Sequence, residues 1–245
     1  MNRLSLQGYE VALFFENLIM NITYYGHSSF GVEINGKHLL FDPFITPNEL
    51  AKNINAETVK ADYILVSHGH DDHIADLITI ATRTKATIIC NWEIYLWLQK
   101  QGIENIFPMN IGGKKAFDFG SVKCVKAEHS SSLPNGIAGG NPMGFVIEST
   151  DKNFYYAGDT ALTYDMKLIG EYRQIDFAFL PIGDIYTMGI DNAIIATEFI
   201  NCPNVIGMHY DTFGYITIDK EEAIKKFSRQ GKSLTLLQIG ETISK

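Results

Sequence analysis

His68-Gly69-His70-Asp71-Asp72-His73 gathers three of the chain's seven histidines into six residues. An apolar run, Tyr63-Ile64-Leu65-Val66, leads in, and Ile74, Leu77, Ile78 and Ala81 follow at helical spacing. The hexapeptide thus reads as a strand-to-helix turn, after a strand apolar enough to be buried on both faces. His68 and His70 are two apart, so on extended backbone they project to one side. Asp72 and His73 stand at the mouth of the helix, where a carboxylate is also a favoured cap. These are two closely spaced ligand pairs, a start for two metal sites side by side. Neutral imidazole and carboxylate suit zinc and its divalent neighbours.

The other strong ligand candidates also follow strands. Residues 121–127 alternate and deliver His129; 153–157 end at Gly158-Asp159-Thr160; 204–208 end at His209. Strand-end loops on a rigid scaffold are where sites are built. Strands delivering histidine or aspartate at one common end would converge on one place, giving two sites with an open position each.

Around these, 20–24 and 30–34 alternate as strands, Asn35-Gly36 is a strong hairpin signal, and 37–41 runs back. Residues 44–60 read as a loop with a short helix. Helices are expected over 92–101, 165–172, 193–200 and 219–229, and strands over 86–90, 144–148, 176–182 and 234–239. Residues 130–143 read as a long loop, which in a compact domain is usually functional or mobile. The order, strands then strand–helix alternation, occurs twice without a residue-level repeat. It predicts an α/β protein of two packed sheets with helices outside, in one domain over 20–245.

Composition narrows the function. The chain has 245 residues, 46% hydrophobic, with 20 basic and 28 acidic residues. No Lys/Arg cluster offers a footprint for nucleic acid. No apolar run approaches the ~20 residues of a membrane span. Cys90, Cys124 and Cys202 are scattered, without metal or redox spacing, and fit buried thiols in a reducing cytoplasm. In residues 1–19, Glu10 and Glu16 bracket a short apolar run, too brief for a secretory signal. This stretch reads as an extension outside the fold, or as a start called early, with Met20 the alternative.

Taken together, His68-x-His70-x-Asp72-His73, His129, Asp159 and His209 resemble the ligand set of the metallo-β-lactamase superfamily. Tyr24-Tyr25-Gly26-His27-Ser28-Ser29-Phe30, Leu39-Leu40-Phe41-Asp42-Pro43-Phe44, His129-Ser130-Ser131-Ser132, Ala157-Gly158-Asp159-Thr160 and Met208-His209-Tyr210 are similar to its uncharacterised metal-dependent hydrolases, of the ascorbate-6-phosphate-lactonase-like branch. The resemblance covers residues 20–245. It implies an αββα sandwich, His68, His70 and His129 on one metal ion, Asp72, His73 and His209 on a second, and Asp159 bridging. Two divalent ions are implied, zinc first, with manganese, iron or nickel as alternatives. A hydroxide between them would attack a small ester, lactone or phosphodiester. The ions outweigh the two carboxylates, so an anionic small molecule is the expected substrate, and Asp72 is the expected orienting and proton-shuttling group.

Other positions carry weaker expectations. His27 is a candidate catalytic-site residue that lines the pocket or orients a ligand, with a structural histidine as the alternative; Asp42 is a candidate hydrogen-bond partner for a ligand imidazole. Tyr210 is a candidate substrate contact, and Thr187 and Met188 a candidate pocket wall. Asp71 stands where the resemblance leads one to expect a small residue. Asp184-Ile185-Tyr186 and Tyr210-Asp211-Thr212 also depart from the family wording, in loops able to shape the pocket. The competing classes are a di-iron redox protein, an RNA-processing nuclease and a non-catalytic metal-binding protein. A homo-oligomer is compatible with everything above.

Overall fold

The computed structural model describes residues 20–150 and 152–245. The stretch read as an N-terminal extension lies outside the described residues. β1 (Asn21–Gly26), β2 (Ser29–Ile34) and β3 (Lys37–Phe41) form an antiparallel meander. Asn35 (φ 52°) and Gly36 (φ 71°) make its two-residue turn, both left-handed as such a turn requires. β4 (Tyr63–Leu65), β5 (Thr87–Cys90) and β6 (Ile106–Pro108) then add in parallel. Helices α1 (Asp71–Ile74), α2 (Leu77–Thr84) and α3 (Trp92–Lys100) lie in the crossovers.

The second half repeats the plan. β7 (Lys114–Phe117), β8 (Gly120–Lys126), β11 (Met143–Glu148) and β12 (Asn153–Tyr156) are antiparallel neighbours, with a small hairpin of β9 (Ser132–Leu133) and β10 (Ile137–Ala138) set between β8 and β11 in sequence. β13 (Phe177–Pro181), β14 (Asn204–Met208) and β15 (Ser233–Thr235) extend the sheet in parallel, connected through α4 (Met166–Tyr172), α5 (Ile190–Phe199) and α6 (Lys220–Arg229). Finally β16 (Thr242–Ser244) crosses back to pair with β1. The result is two seven-stranded mixed sheets packed face to face with helices outside, the αββα sandwich expected.

Aromatic residues fill the space between the sheets. Phe30 meets Phe179 at 4.7 Å between ring centroids, and Phe41 meets Tyr156 at 4.6 Å. Each such burial stabilises by ~1.5–3 kcal/mol before entropy is counted. The parallel strands are buried on both faces. Leu65 and Ile89 face the sandwich, while Ile64, Val66, Ile88 and Cys90 pack with Leu77, Ile80, Ile94 and Leu98 of the helices.

Five local expectations change, the first being that the strand read over 234–239 is confined to Ser233–Thr235. The helix after the hexapeptide is broken at Ala75-Asp76, because the buried Asp76 carboxylate turns to accept from the backbone N–H groups of Ile45 (2.7 Å) and Thr46 (2.9 Å). His70, not an aspartate, occupies the N-cap of α1, and no side chain caps it. The 130–143 segment is not free: Leu133 packs into the helix-side core, and Ser131 Oγ accepts from Gly69 N–H at 3.1 Å. A Cβ on Gly69 would meet Leu133 Cδ2 at 2.9 Å and the Ser132 carbonyl oxygen at 3.3 Å, so a larger residue there would require the buried Leu133 to shift. β6, β7 and β16 were not expected; they are short, and Lys114-Lys115 on an exposed sheet edge gives no alternation to read.

Candidate metal centre

The same end of the sandwich receives a functional side chain from most of its inner strands. β4 runs on to His68, β8 to His129, β12 to Asp159 and β14 to His209; β1 and β3 add His27 and Asp42. Backbone hydrogen bonds tie these ends together. His209 N–H donates to His27 O at 3.0 Å, and Ala161 N–H donates to Glu128 O at 3.0 Å. His27 (φ 56°), Asp42 (φ 41°) and His209 (φ 56°) all sit in the left-handed region. A non-glycine residue there costs roughly 1–3 kcal/mol and persists where its surroundings over-determine it. Three such residues at one site mark a place where strand ends are bent to aim side chains inward.

The candidate ligands fall into two groups. One ligand atom from each of His68, His70 and His129 lies within 4.8 Å of the others, and the same is true of His27, Asp72, His73 and His209. His68 Nε2 and His70 Nδ1 converge to 3.0 Å. Asp159 joins the groups: its Oδ2 is 2.9 Å from His209 Nε2, 3.3 Å from His73 Nε2 and 3.7 Å from His129 Nε2. His209 Nε2 is also 3.9 Å from Asp72 Oδ2. Every histidine and aspartate expected on the metals therefore reaches one cluster.

Asp42 sits behind it, fully buried. Its Oδ1 accepts from Ser67 N–H at 2.7 Å, and its Oδ2 accepts from Ser67 Oγ–H at 2.6 Å and from His73 Nδ1–H at 2.9 Å. The Tyr156 hydroxyl, from the opposite sheet, donates to the same oxygen at 2.8 Å. With its proton committed to Asp42, Ser67 Oγ accepts from His68 Nδ1–H at 2.9 Å. One carboxylate thus fixes two tautomers, leaving the Nε2 atoms of His68 and His73 as lone pairs toward the cluster. A third grouping, Asp42 with His68 and His73, is this hydrogen-bond network rather than another ion site.

His27 does the corresponding work for Asp72. Its Nε2 is 3.1 Å from Asp72 Oδ2 and its Nδ1 is 2.9 Å from Thr212 Oγ1. Burial, with His209 alongside, lowers the His27 pKa to about 4, so the ring is neutral. A neutral ring donating through Nε2 accepts Thr212 Oγ–H through Nδ1.

The electrostatics fit a cation. Burial lowers His68, His70 and His129, keeping those imidazoles neutral and able to ligate. Burial alone would lower His73 too, but the Asp159, Asp42 and Asp72 carboxylates around it push it well above the usual histidine value. Burial alone would raise Asp159, but His209 and His73 hold it well below the carboxylate range. The spot between these groups demands positive charge. His73 Nε2 and Asp159 Oδ1 are also buried without a hydrogen-bond partner, and buried polar atoms of that kind ask for one. Donor chemistry and geometry both suit divalent metal.

A cavity of about 490 Å³ opens over the cluster, lined by His70, Asp72, His129, Ser130, Asp159, His209, Tyr186, Phe213 and Tyr215. The expected walls are elsewhere. Met188 is buried in the core between the sheets, and its N–H donates to Thr160 O at 2.9 Å. Thr187 Oγ1 bonds the Met188 carbonyl at 3.2 Å and does not line the cavity. Tyr210 is buried and faces a separate cavity with Tyr24 and Lys220; following a ligand by one residue turned it to the opposite side. Asp71 is exposed in the first turn of α1 and outside the cavity. Sequence reading missed Ser67, Tyr156 and Thr212, which hold Asp42, His68 and His27 without offering ligand atoms of their own, and missed the aromatic wall. The departures from family wording at Asp184-Ile185-Tyr186 and Tyr210-Asp211-Thr212 were the available signal for the loops concerned.

Comparison with known proteins identifies the family. Residues 37–210 match the family model described as the beta-lactamase superfamily domain. The chain belongs to that superfamily. Within it, the chain is 56% identical over 224 residues to a UPF0173 metal-dependent hydrolase of Flavobacterium johnsoniae, covering 91% of this chain and 99% of the relative. A UPF0173 metal-dependent hydrolase of Methylacidiphilum infernorum is 54% identical over the same length, with the same coverage. Among solved structures, Igni18, a metallo hydrolase from Ignicoccus hospitalis, superposes with a TM-score of 0.84 at 36% identity, covering 93% of this chain and 98% of that one. Membership of the superfamily and of its UPF0173 metal-dependent hydrolases follows. Among the described residues, no helix is long and apolar enough to cross a membrane.

Proposed function

We propose that the protein is a hydrolase of small esters, lactones or phosphodiesters, working with two divalent ions, zinc first among them. His68, His70 and His129 would hold one, Asp72, His73 and His209 the other, with Asp159 shared. The observation that carries this reading is the single Asp159 oxygen facing His73, His129 and His209 at 2.9–3.7 Å. Divalent ions bound there supply a Lewis acid for the scissile carbonyl or phosphoryl oxygen and bring a water's pKa near neutrality.

The chain's own residues do the rest. Asp72 opens to the cavity floor and is held by His27, so its carboxylate is placed to accept a hydrogen bond from the attacking water and aim it. Burial opposes its ionisation, but His73 and His27 keep its pKa well below the ordinary carboxylate value, which favours orienting over storing a proton. Asp42 keeps His68 and His73 turned with Nε2 inward. Ser130 Oγ, 3.4 Å from His70 Nε2, stands where it can meet substrate at the rim. The half-open cavity fits a small molecule rather than a polymer. Three free, buried thiols support a cytoplasmic setting.

The test combines metal analysis of the purified protein with a panel of lactones, carboxylic esters and phosphodiesters. We expect two ions per chain, loss of turnover on chelation, and recovery with zinc or manganese. Undiminished turnover in His70→Ala or Asp159→Ala would end the proposal.

A further inference from the structure

Three aromatic side chains close the cavity, and two strained loops present them. Tyr186 is 49% exposed, Tyr215 77% and Phe213 38%. Exposed rings grouped around a concavity are ligand-contact surface more often than ordinary exterior. Their loops are held rather than loose. Before Tyr186, Asp184 (φ 64°) and Ile185 (φ 61°) are consecutive left-handed residues. For a β-branched isoleucine this conformation is a genuine outlier. Asp184 N–H donates to Met188 O at 3.3 Å, and Asp184 Oδ1 accepts from Ile185 N–H at 2.9 Å, locking the bend. In the other loop, Asp211 (φ 63°) donates its N–H to Ile216 O at 2.9 Å, accepts from Ile218 N–H at 3.1 Å, and pairs with Lys220 at 2.9 Å. Phe213 is braced edge-on against the His27 ring at 5.4 Å. Strain kept at two independent loops to hold rings over the metal cluster points to a use for those rings.

Charge sets the class of ligand. Among the described residues lining the cavity there is no lysine or arginine, and its acids, Asp72 and Asp159, belong to the cluster. A phosphate or carboxylate remote from the reacting centre would find no cation there, and a polyol would lie against rings.

We propose that Tyr186, Phe213 and Tyr215 form an aromatic clamp that selects substrates carrying an aromatic or flat apolar group beside the scissile bond, any negative charge being confined to the reacting group. This rests on the hydrolase reading of the same cavity. Rings flanking a planar group supply contact area and offset or edge-on stacking, and rigid presentation limits the entropy lost on binding.

Phenylphosphonate and methylphosphonate carry the same anchor and differ only in ring against methyl. Calorimetry of the zinc-loaded protein should show phenylphosphonate binding about tenfold tighter. In Tyr186→Ala/Tyr215→Ala, both sites being exposed, that preference should fall to about twofold or less, with thermal melting confirming the fold. Phe213→Leu, which keeps an apolar side chain at the braced position, should lower the preference by a smaller factor. A wild-type preference near one, or one that survives in the folded double variant, overturns the clamp. The ester panel separates this from the function proposed above. Turnover without phenyl preference removes the clamp alone; phenyl preference without turnover of any ester removes the hydrolase reading alone.

Discussion

The two ligand groups share one construction and differ in what stands behind them. His68, His70 and His129 are three neutral imidazoles, two of them on the cavity wall. Asp72, His73 and His209 carry a carboxylate of their own and are braced by Asp42 and His27. The first group owes its negative charge to the shared Asp159. The second is charged and pre-oriented without it. The contrast teaches that the two groups are not equivalent, and that two residues, Asp159 and Asp42, reach across both: Asp159 from the front, Asp42 from behind through His73 and through Ser67 to His68.

Removing the joint should have the largest effect. Asp159→Ala is expected to lower turnover by about 10³-fold or more, since several kcal/mol of metal stabilisation depend on it. Elemental analysis should find the first group losing its ion more completely than the second. Equal retention in both groups would break the asymmetry.

Next comes the brace. Asp42→Asn replaces a four-fold acceptor with an amide that cannot accept from Ser67, His73 and Tyr156 together. Metal affinity should fall by about 10–100-fold at both sites, and the fold should lose ~1–3 kcal/mol from unsatisfied buried groups, read by denaturant melts. Ser67→Ala sharpens the comparison, because it cuts the path to His68 and spares the His73 bond. Its loss should be confined to the first group; a matching loss at the second would refute the proposed division of labour.

A smaller effect is expected at His27. His27→Gln keeps a donor near Asp72 but lacks the ring between Asp72 and Thr212. Affinity at the second group should drop by about tenfold, at the low end for a residue that orients a ligand, with the first group unchanged in metal titration. Loss of both ions at once would mean that His27 supports the whole cluster rather than Asp72.

Much of this comparison was legible in the sequence, for a physical reason. Metal ligands need particular side chains, and strand ends put them at recognisable places: after 62–67, 121–127, 153–157 and 204–208. The alternating or continuous apolar runs that form the sandwich are set locally, so the two-sheet order followed. What stayed hidden depends on packing across the sandwich. Tyr156 reaches Asp42 from the opposite sheet, 114 residues away in sequence. Ser67 looks like any serine at a strand end. The left-handed backbone at His27, Asp42 and His209 leaves no mark when the residue is not glycine. Tyr210 shows the same limit in reverse: adjacency to His209 suggested a substrate contact, and the bend after β14 sent it to another cavity.

Asp71 is the residue at which the comparison can be sharpened most finely. In sequence it adds a charge beside the motif, and the resemblance makes it the visible departure there. In the structure it lies exposed on α1, outside the cavity, with its backbone carbonyl accepting from Ala75 N–H at 3.1 Å. Its carboxylate acts on the cluster only through solvent, favouring the charged form of His70 slightly. At an exposed position such a charge is worth ~1 kcal/mol or less and is screened within ~10 Å at 0.1 M salt. Asp71→Ala should therefore change ion affinity at the first group by about threefold or less at low ionic strength, and by nothing measurable at high salt, while the second group stays as it was. A large, salt-resistant loss would show that Asp71 enters the site directly, and that the exposed side of α1 moves when substrate or metal arrives.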